Sequence, residues 1–242
     1  MKTPDNTDMV IGNPGWAARG EAAGEADRAW IERERDQARA WEAIGARYDE
    51  AFPHKDGQLA MVTTLLELLP PGARVLDIGS GTGLPTARQL TAAGCRVTCL
   101  DISPRMLGIA EQNVPEAEFV LGDVMDLSAD GPGFEAVTAF FVLLHLPREK
   151  VRTALGLIRE VLAPGGWFAV AMVEGDVDDV PIAFLDSRIR VTGILRDDLR
   201  TLLSESGFVV GHEQVLSYAP ETTSAKPEIQ MFFLCRKADE RS

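Results

Sequence analysis

Val75-Leu76-Asp77-Ile78-Gly79-Ser80-Gly81-Thr82-Gly83 runs from an apolar strand into a glycine-rich turn, and a helical stretch follows to about Ala93. Glycines at such a turn let the backbone bend sharply and let a ligand approach without a Cβ in the way. A dinucleotide fingerprint wants them at the first, third and sixth positions. Counted from Gly79, the sixth position is Leu84, and the glycines fall at the first, third and fifth instead. Asp77 would also repel a pyrophosphate. A nicotinamide-dependent oxidoreductase is therefore disfavoured. The next strand, Arg96 to Ile102, carries Asp101 near its end, 20 residues after Gly81. A carboxylate there can accept hydrogen bonds from both hydroxyls of a ribose. An Asp at a strand end also caps helices and closes turns, and that use stays open.

Outward from this turn, strand and helix patterns alternate. Upstream, Leu59 to Leu69 is an apolar helix ended by Pro70 and Pro71. Downstream, Ser103-Pro104 starts a helix, Ser as cap and Pro at the first helical position. Glu118 to Leu121 is a third strand. Phe134 to Leu143 is a fourth, apolar but for Glu135 and Thr138, as a strand buried on both faces should largely be. A helix from about Arg148 to Leu162 stops at Pro164-Gly165-Gly166, and Trp167 to Val173 is a fifth strand. Arg196 to Ser206 is a helix closed by Gly207, and Val209 to Tyr218 with Ile229 to Arg236 should pair as a hairpin. The pattern predicts an α/β fold: a doubly wound, Rossmann-like sheet, mostly parallel, with one antiparallel strand from a C-terminal hairpin. Residues 1–26 read as a mobile tail and 27–58 as a helical lid with an apolar stripe of Trp41, Ile44 and Tyr48. Residues 59–238 read as the ligand-binding domain and 239–242 as a tail. The segment 174–195 has no clean strand or helix pattern and reads as a lid loop.

Composition narrows the function classes. The 242 residues carry a formal net charge of -13, which repels phosphate backbones and anionic lipid. No basic patch offsets it: Arg28, Arg33, Arg35 and Arg39 alternate with acids, as on a solvated helix face. Neither a nucleic acid nor a membrane is expected as partner. A homodimer stays open. Three cysteines with no metal-like spacing fit a reducing compartment, and the start MKTPDNTD lacks the apolar core of a secretory signal. A cytoplasmic location is expected.

Together, VLDIGSGTG (75–83), LDISPRML (100–107), GDVMDL (122–127), FFVLLHLP (140–147) and LAPGGW (162–167) resemble the class I S-adenosylmethionine-dependent methyltransferase family, over about Trp41 to Arg236. The stretches YDEAFPHKDGQ (48–58) and PEIQMFFLCRK (227–237) look like small-molecule methyltransferases of actinobacterial secondary metabolism. Residues 1–29 have no counterpart in the pattern. The resemblance implies S-adenosyl-L-methionine as cofactor and a small-molecule acceptor. It implies that Gly79, Gly81 and Gly83 line the methionine part and that Asp77 favours its ammonium group through water. Asp101 would hold the ribose. Ile102 and Met106 would lie against the adenine, although plain core packing explains them too. Asp123 would accept from the adenine amino group, the Val124 N–H would donate to the ring, and the Phe140 carbonyl would face the cofactor's amino group.

Acceptor-side candidates are fewer. His145 follows the fourth strand, close to where a transferred methyl should sit, and is the candidate general base or pocket wall, with a rate inflection expected between about pH 6 and 7. Tyr48, His54, Phe141, Glu174 and Arg188 are candidates for contacting the acceptor. Arg188 could clamp an acidic group or pair with the carboxylates near Glu174. No metal is expected: no Asp or Glu lies between Glu135 and Glu149, where a metal-dependent site would need one. The acceptor, and whether O, N or C is methylated, is not written in the chain. An S-adenosylmethionine-binding cyclase would share every cofactor motif.

Overall fold

The computed structural model describes residues 25–129, 131–221 and 226–239. Most of the tail expected at 1–26, and residues 240–242 of the other, lie outside them.

The central element is β1 (Arg74–Ile78). It pairs in parallel with β2 (Arg96–Asp101) on one side and β4 (Phe134–Phe140) on the other. With β3 (Glu118–Leu121), β5 (Leu162–Val173), β8 (Phe208–Tyr218) and β9 (Glu228–Lys237) they form one seven-stranded sheet, ordered β3-β2-β1-β4-β5-β9-β8. Only β9 runs against its neighbours, antiparallel to both β5 and β8. The expected doubly wound architecture with one reversed strand is what forms. Strand order changes direction at β1, which opens a crevice at the carboxyl ends of β1 and β4.

Helices cover both faces. Val75, Ala136, Ala169 and Phe232 pack into one apolar cluster with α3 (Asp56–Leu66), α4 (Thr86–Ala92) and α5 (Pro104–Asn113). Their chain neighbours Leu76, Val137, Phe168 and Phe233 pack into a second with α6 (Arg148–Val161) and α7 (Arg196–Glu205). The two-residue alternation of a strand feeds two cores at once. In α6 the buried positions Val151, Ala154, Leu155, Ile158 and Val161 recur at three and four residues, the stripe of an amphipathic helix.

A third cluster joins α1 (Glu25–Ile44), α2 (Arg47–Ala51) and a hairpin of β6 (Val177–Phe184) and β7 (Ser187–Gly193). This hairpin corrects the expectation of an irregular loop over 174–195. Its turn is Leu185-Asp186, with φ of 46° and 61°, and Phe184 opposes Ser187. Positive φ at both turn residues matches the twist of a two-residue hairpin. Such turns usually advertise themselves with Asn or Gly, and Leu-Asp does not. Pro181 fits because β6 has no second neighbour.

Candidate functional site

Two adjoining cavities open at the carboxyl ends of β1 and β4. The first is lined by the glycine turn, the ends of β2 and β4, and the segment Gly122 to Val124. Nine of the ten residues expected on the cofactor side line it: Asp77, Gly79, Gly81, Asp101, Ile102, Met106, Asp123, Val124 and Phe140.

The turn needs its glycines for different reasons. Gly79 has φ 65°, and a Cβ there would lie 2.5 Å from Val142 Cβ. Gly83 corrects an expectation: it is not among the lining residues. At φ 76° it faces α5, where a Cβ would stand 3.0 Å from Val114 Cγ2, so its smallness serves close packing of a helix against the turn.

Asp101 ties the turn together. Its Oδ2 accepts from the Gly81 N–H at 2.9 Å and its Oδ1 from the Ser103 N–H at 2.9 Å. It therefore does what a turn-closing Asp does, with lone pairs left over on the side that lines the cavity. Burial raises its pKa against those two bonds. Asp77 accepts from Thr138 Oγ1 at 2.6 Å through Oδ1, while its buried Oδ2 has no partner. Burial pushes its carboxyl up to about 7, with Thr138 opposing and the charge of Asp101 adding. Asp123 Oδ1 accepts from the Met125 N–H at 2.9 Å.

Helix α1 adds residues that the sequence did not place beside the cofactor. Glu34, Gln37 and Trp41 also line the first cavity, and Glu34 is buried. Their spacing of three and four, continuing to the Trp41 stripe, is the signal that could have found them. Burial and the charge of Asp123 push Glu34 up to about 7 against its neighbour Arg33. Arg33 corrects the reading of its helix as evenly solvated. Its side chain is 11% exposed, bonds Asp179 Oδ1 and donates to the His145 carbonyl at 2.6 Å. Gln37 reaches the hairpin from both ends of its amide, donating to the Arg190 carbonyl at 3.1 Å and accepting the Arg190 N–H at 2.8 Å.

Four carboxylates, those of Glu34, Asp77, Asp101 and Asp123, thus line the first cavity, and no Lys or Arg is among its lining residues. A pyrophosphate would meet only repulsion there. A ligand carrying an ammonium and a sulfonium meets the opposite, and the unpartnered Asp77 Oδ2 supplies a buried acceptor for an ammonium N–H. The residues present fit S-adenosylmethionine.

The second cavity, about 780 Å³, lies under the hairpin. Trp41, Tyr48, Phe141 and His145 line both cavities and mark where they meet. Phe141 holds φ 56° at the end of β4, anchored by its N–H to the Ala171 carbonyl at 2.9 Å. Strained backbone of this kind persists where surrounding structure over-determines it.

His145 is in place, with its ring edge-on to Trp41 at 5.2 Å. Its Nδ1 lies 3.2 Å from the Arg190 carbonyl. A carbonyl only accepts, so Nδ1 carries the proton and Nε2 keeps a lone pair. Burial pushes its pKa down to about 4, with the Arg190 carbonyl opposing and the charge of Arg33 adding. This overturns the expected inflection between pH 6 and 7. Glu174 lines the second cavity, but it also bonds Arg196 at 2.9 Å and so holds the start of α7. Two candidates fall outside both cavities. His54 is exposed beside Glu221 at 3.0 Å, and Arg188 is on the outer face of the roof with Glu32 and Asp36. No group of three or more His, Cys, Asp or Glu among the described residues is placed to hold a metal ion. No described helix is long and apolar enough to cross a membrane.

Comparison with known proteins gives a family and a fold. A methyltransferase domain family matches residues 75–166. An uncharacterized methyltransferase of Synechocystis is 30% identical over 148 residues, which is 59% of this chain and 69% of that protein. The match is shorter elsewhere: with the ubiquinone biosynthesis O-methyltransferase of Xanthomonas campestris it is 36% over 104 residues, 40% of this chain and 41% of that one. Among solved structures, DhpI bound to SAH superimposes with a TM-score of 0.67 at 22% identity, covering 86% of this chain and 98% of that one. The 1,6-didemethyltoxoflavin-N1-methyltransferase of Burkholderia thailandensis gives 0.65 at 21%, covering 91% and 93%. These two likenesses carry the fold.

Proposed function

Because the chain belongs to the S-adenosylmethionine-dependent methyltransferases, we propose that it methylates a small, largely apolar molecule seated in the second cavity. The observation that carries this is the shared wall of Trp41, Tyr48, Phe141 and His145, where an acidic cavity without a cation meets an apolar one.

When bound, the cofactor supplies a methyl group already activated by the positive sulfonium. The chain's residues do the rest. Asp77 takes the ammonium, Asp101 the ribose, and Asp123 with the Val124 N–H the adenine. The shared wall aligns the acceptor's lone pair with the S–CH₃ bond and keeps water out. Such positioning can be worth about 7–11 kcal/mol. His145, neutral and with a free Nε2, holds a hydroxyl or N–H of the acceptor in place. With a pKa of about 4 it is a weak base, which makes it an orienting group first and a proton acceptor second.

The finer readings belong here too. Residues 27–58 and 174–195 act as one lid on the domain of 59–238. The natural-product character of the acceptor rests on YDEAFPHKDGQ and PEIQMFFLCRK. A cytoplasmic protein that does not engage nucleic acid fits the net charge of -13.

Calorimetry with S-adenosylhomocysteine tests the cofactor side. Binding is expected, and Asp101→Ala should weaken it by about one to a few kcal/mol, since an acceptor for the ribose and the Gly81 tether are lost together. Transfer is tested by mass spectrometry with methyl-labelled cofactor over apolar amines and phenols. Undiminished affinity in Asp101→Ala refutes the ribose assignment. Tight binding without labelled product across the panel favours a non-methylating enzyme.

A further inference from the structure

The acceptor cavity has a polar end that the transfer reaction does not use. Its walls are aromatic and aliphatic: Trp41, Tyr48, Phe52, Phe141, Phe184 and Ile189 among them. Four charged residues line it. Glu174 is paired with Arg196 at 2.9 Å, Asp186 is paired with Arg47 at 3.2 Å on the surface, and Lys226 is exposed. The fourth, Glu228, is different. It is half-buried at the start of β9, and its hydrogen bond comes from the neutral amide of Gln230 at 2.8 Å. Its charge bears on the ring hydroxyls of Tyr48 and Tyr218, both of which it pushes to higher pKa after burial has done so.

A half-buried carboxylate with no Lys or Arg partner among the described residues, in the wall of an aromatic chamber, is costly unless a ligand completes it. Aromatic faces and a carboxylate together recognise ammonium groups through ring quadrupole and charge. We propose that the acceptor carries an ammonium group, held by Glu228 against the aromatic wall that Phe184 gives the same cavity, and that this group is a handle and not the atom methylated.

The two roles separate in space and in chemistry. Phe232 lies level with the junction: it pairs with Ala171 and packs on Phe141 at 5.5 Å. Glu228 is four residues further along β9, about 13 Å of strand. An ammonium has no lone pair with which to attack a sulfonium, and two cations repel, so the charged end belongs away from the junction. The nucleophilic atom belongs at the other end, beside His145. The acidic surface of the chain, with its net charge of -13, draws such a cation in.

This rests on the reading of the second cavity as the acceptor site, and the experiment keeps the two apart. The protein is first saturated with S-adenosylhomocysteine. Benzyltrimethylammonium and its uncharged carbon isostere, neopentylbenzene, are then titrated in turn. The cation should bind at least tenfold tighter. In Glu228→Gln, which keeps size and shape, that preference should fall below about twofold while neopentylbenzene binds as before. Equal binding of the two probes by the wild-type protein overturns the proposal without recourse to any variant. A preference that survives Glu228→Gln overturns the assignment to Glu228. Failure of S-adenosylhomocysteine to bind at all overturns the methyltransferase reading instead.

Discussion

At the scale of single residues, His145 carries the most direct pH signature. Its folded pKa of about 4 is below the ordinary 6.5. Between those values the unfolded chain takes up a proton and the folded chain does not. Its contribution to stability is therefore complete above about pH 6.5 and is lost as pH falls towards 4. Asp77 and Glu34, both held up at about 7, act in the opposite sense over the same window: their burial costs more as pH rises. The difference between wild type and His145→Gln isolates the one from the other. Urea midpoints should diverge as pH rises from 4 to 6.5 and run parallel above, and a gap that does not change with pH would remove His145 from the account. The residues that line the first cavity are legible in sequence because each sits in a local motif that fixes its own geometry, strand then turn then helix. Gly83 was misread because a ligand and a packed helix make the same demand on a glycine. His54 and Arg188 were misplaced for another reason. Where they end up depends on how the N-terminal helices and the hairpin fold over the sheet, and no local pattern states that.

At the scale of elements, the roof is held by a side chain that imitates a strand. Gln37 exchanges both amide partners with Arg190 of β7, and Arg33 adds Asp179 and the His145 carbonyl. Helix α1 and the hairpin are thus one body. Gln37→Ala should free the Arg190 N–H, raise hydrogen exchange through β7, and cost roughly 1–3 kcal/mol locally, because that donor loses its partner while the Arg190 carbonyl keeps His145 Nδ1. Exchange in β7 that matches wild type would mean the two elements are held by apolar contact alone. The central sheet strands are readable from their largely apolar runs. The hairpin was not, because Asp178, Asp179 and Pro181 interrupt any alternation and Leu185-Asp186 gives no turn signal. Leu185 is held in place by tertiary packing, buried against Phe52 and Ile189.

At the scale of the whole molecule, a doubly wound sheet was expected from alternation alone, and its switch point at β1 sets the two cavities where they are. What alternation does not state is the position of β9. It is the last strand in the described chain, yet it lies between β5 and β8, with Met231 to Cys235 fully covered. This has a consequence for synthesis on the ribosome. Until β9 has emerged, β5 and β8 each present an open row of backbone donors and acceptors, and Phe168 lacks part of its packing. The nascent chain therefore presents two adhesive strand edges as it emerges. Completion of the sheet waits for β9, so stalled chains ending at about residue 220 should be sensitive to protease and bound by holdase chaperones. Chains extended past residue 238 and clear of the exit tunnel should become resistant in one step. Gradual protection, strand by strand, would mean that the N-terminal strands close a stable core of their own first.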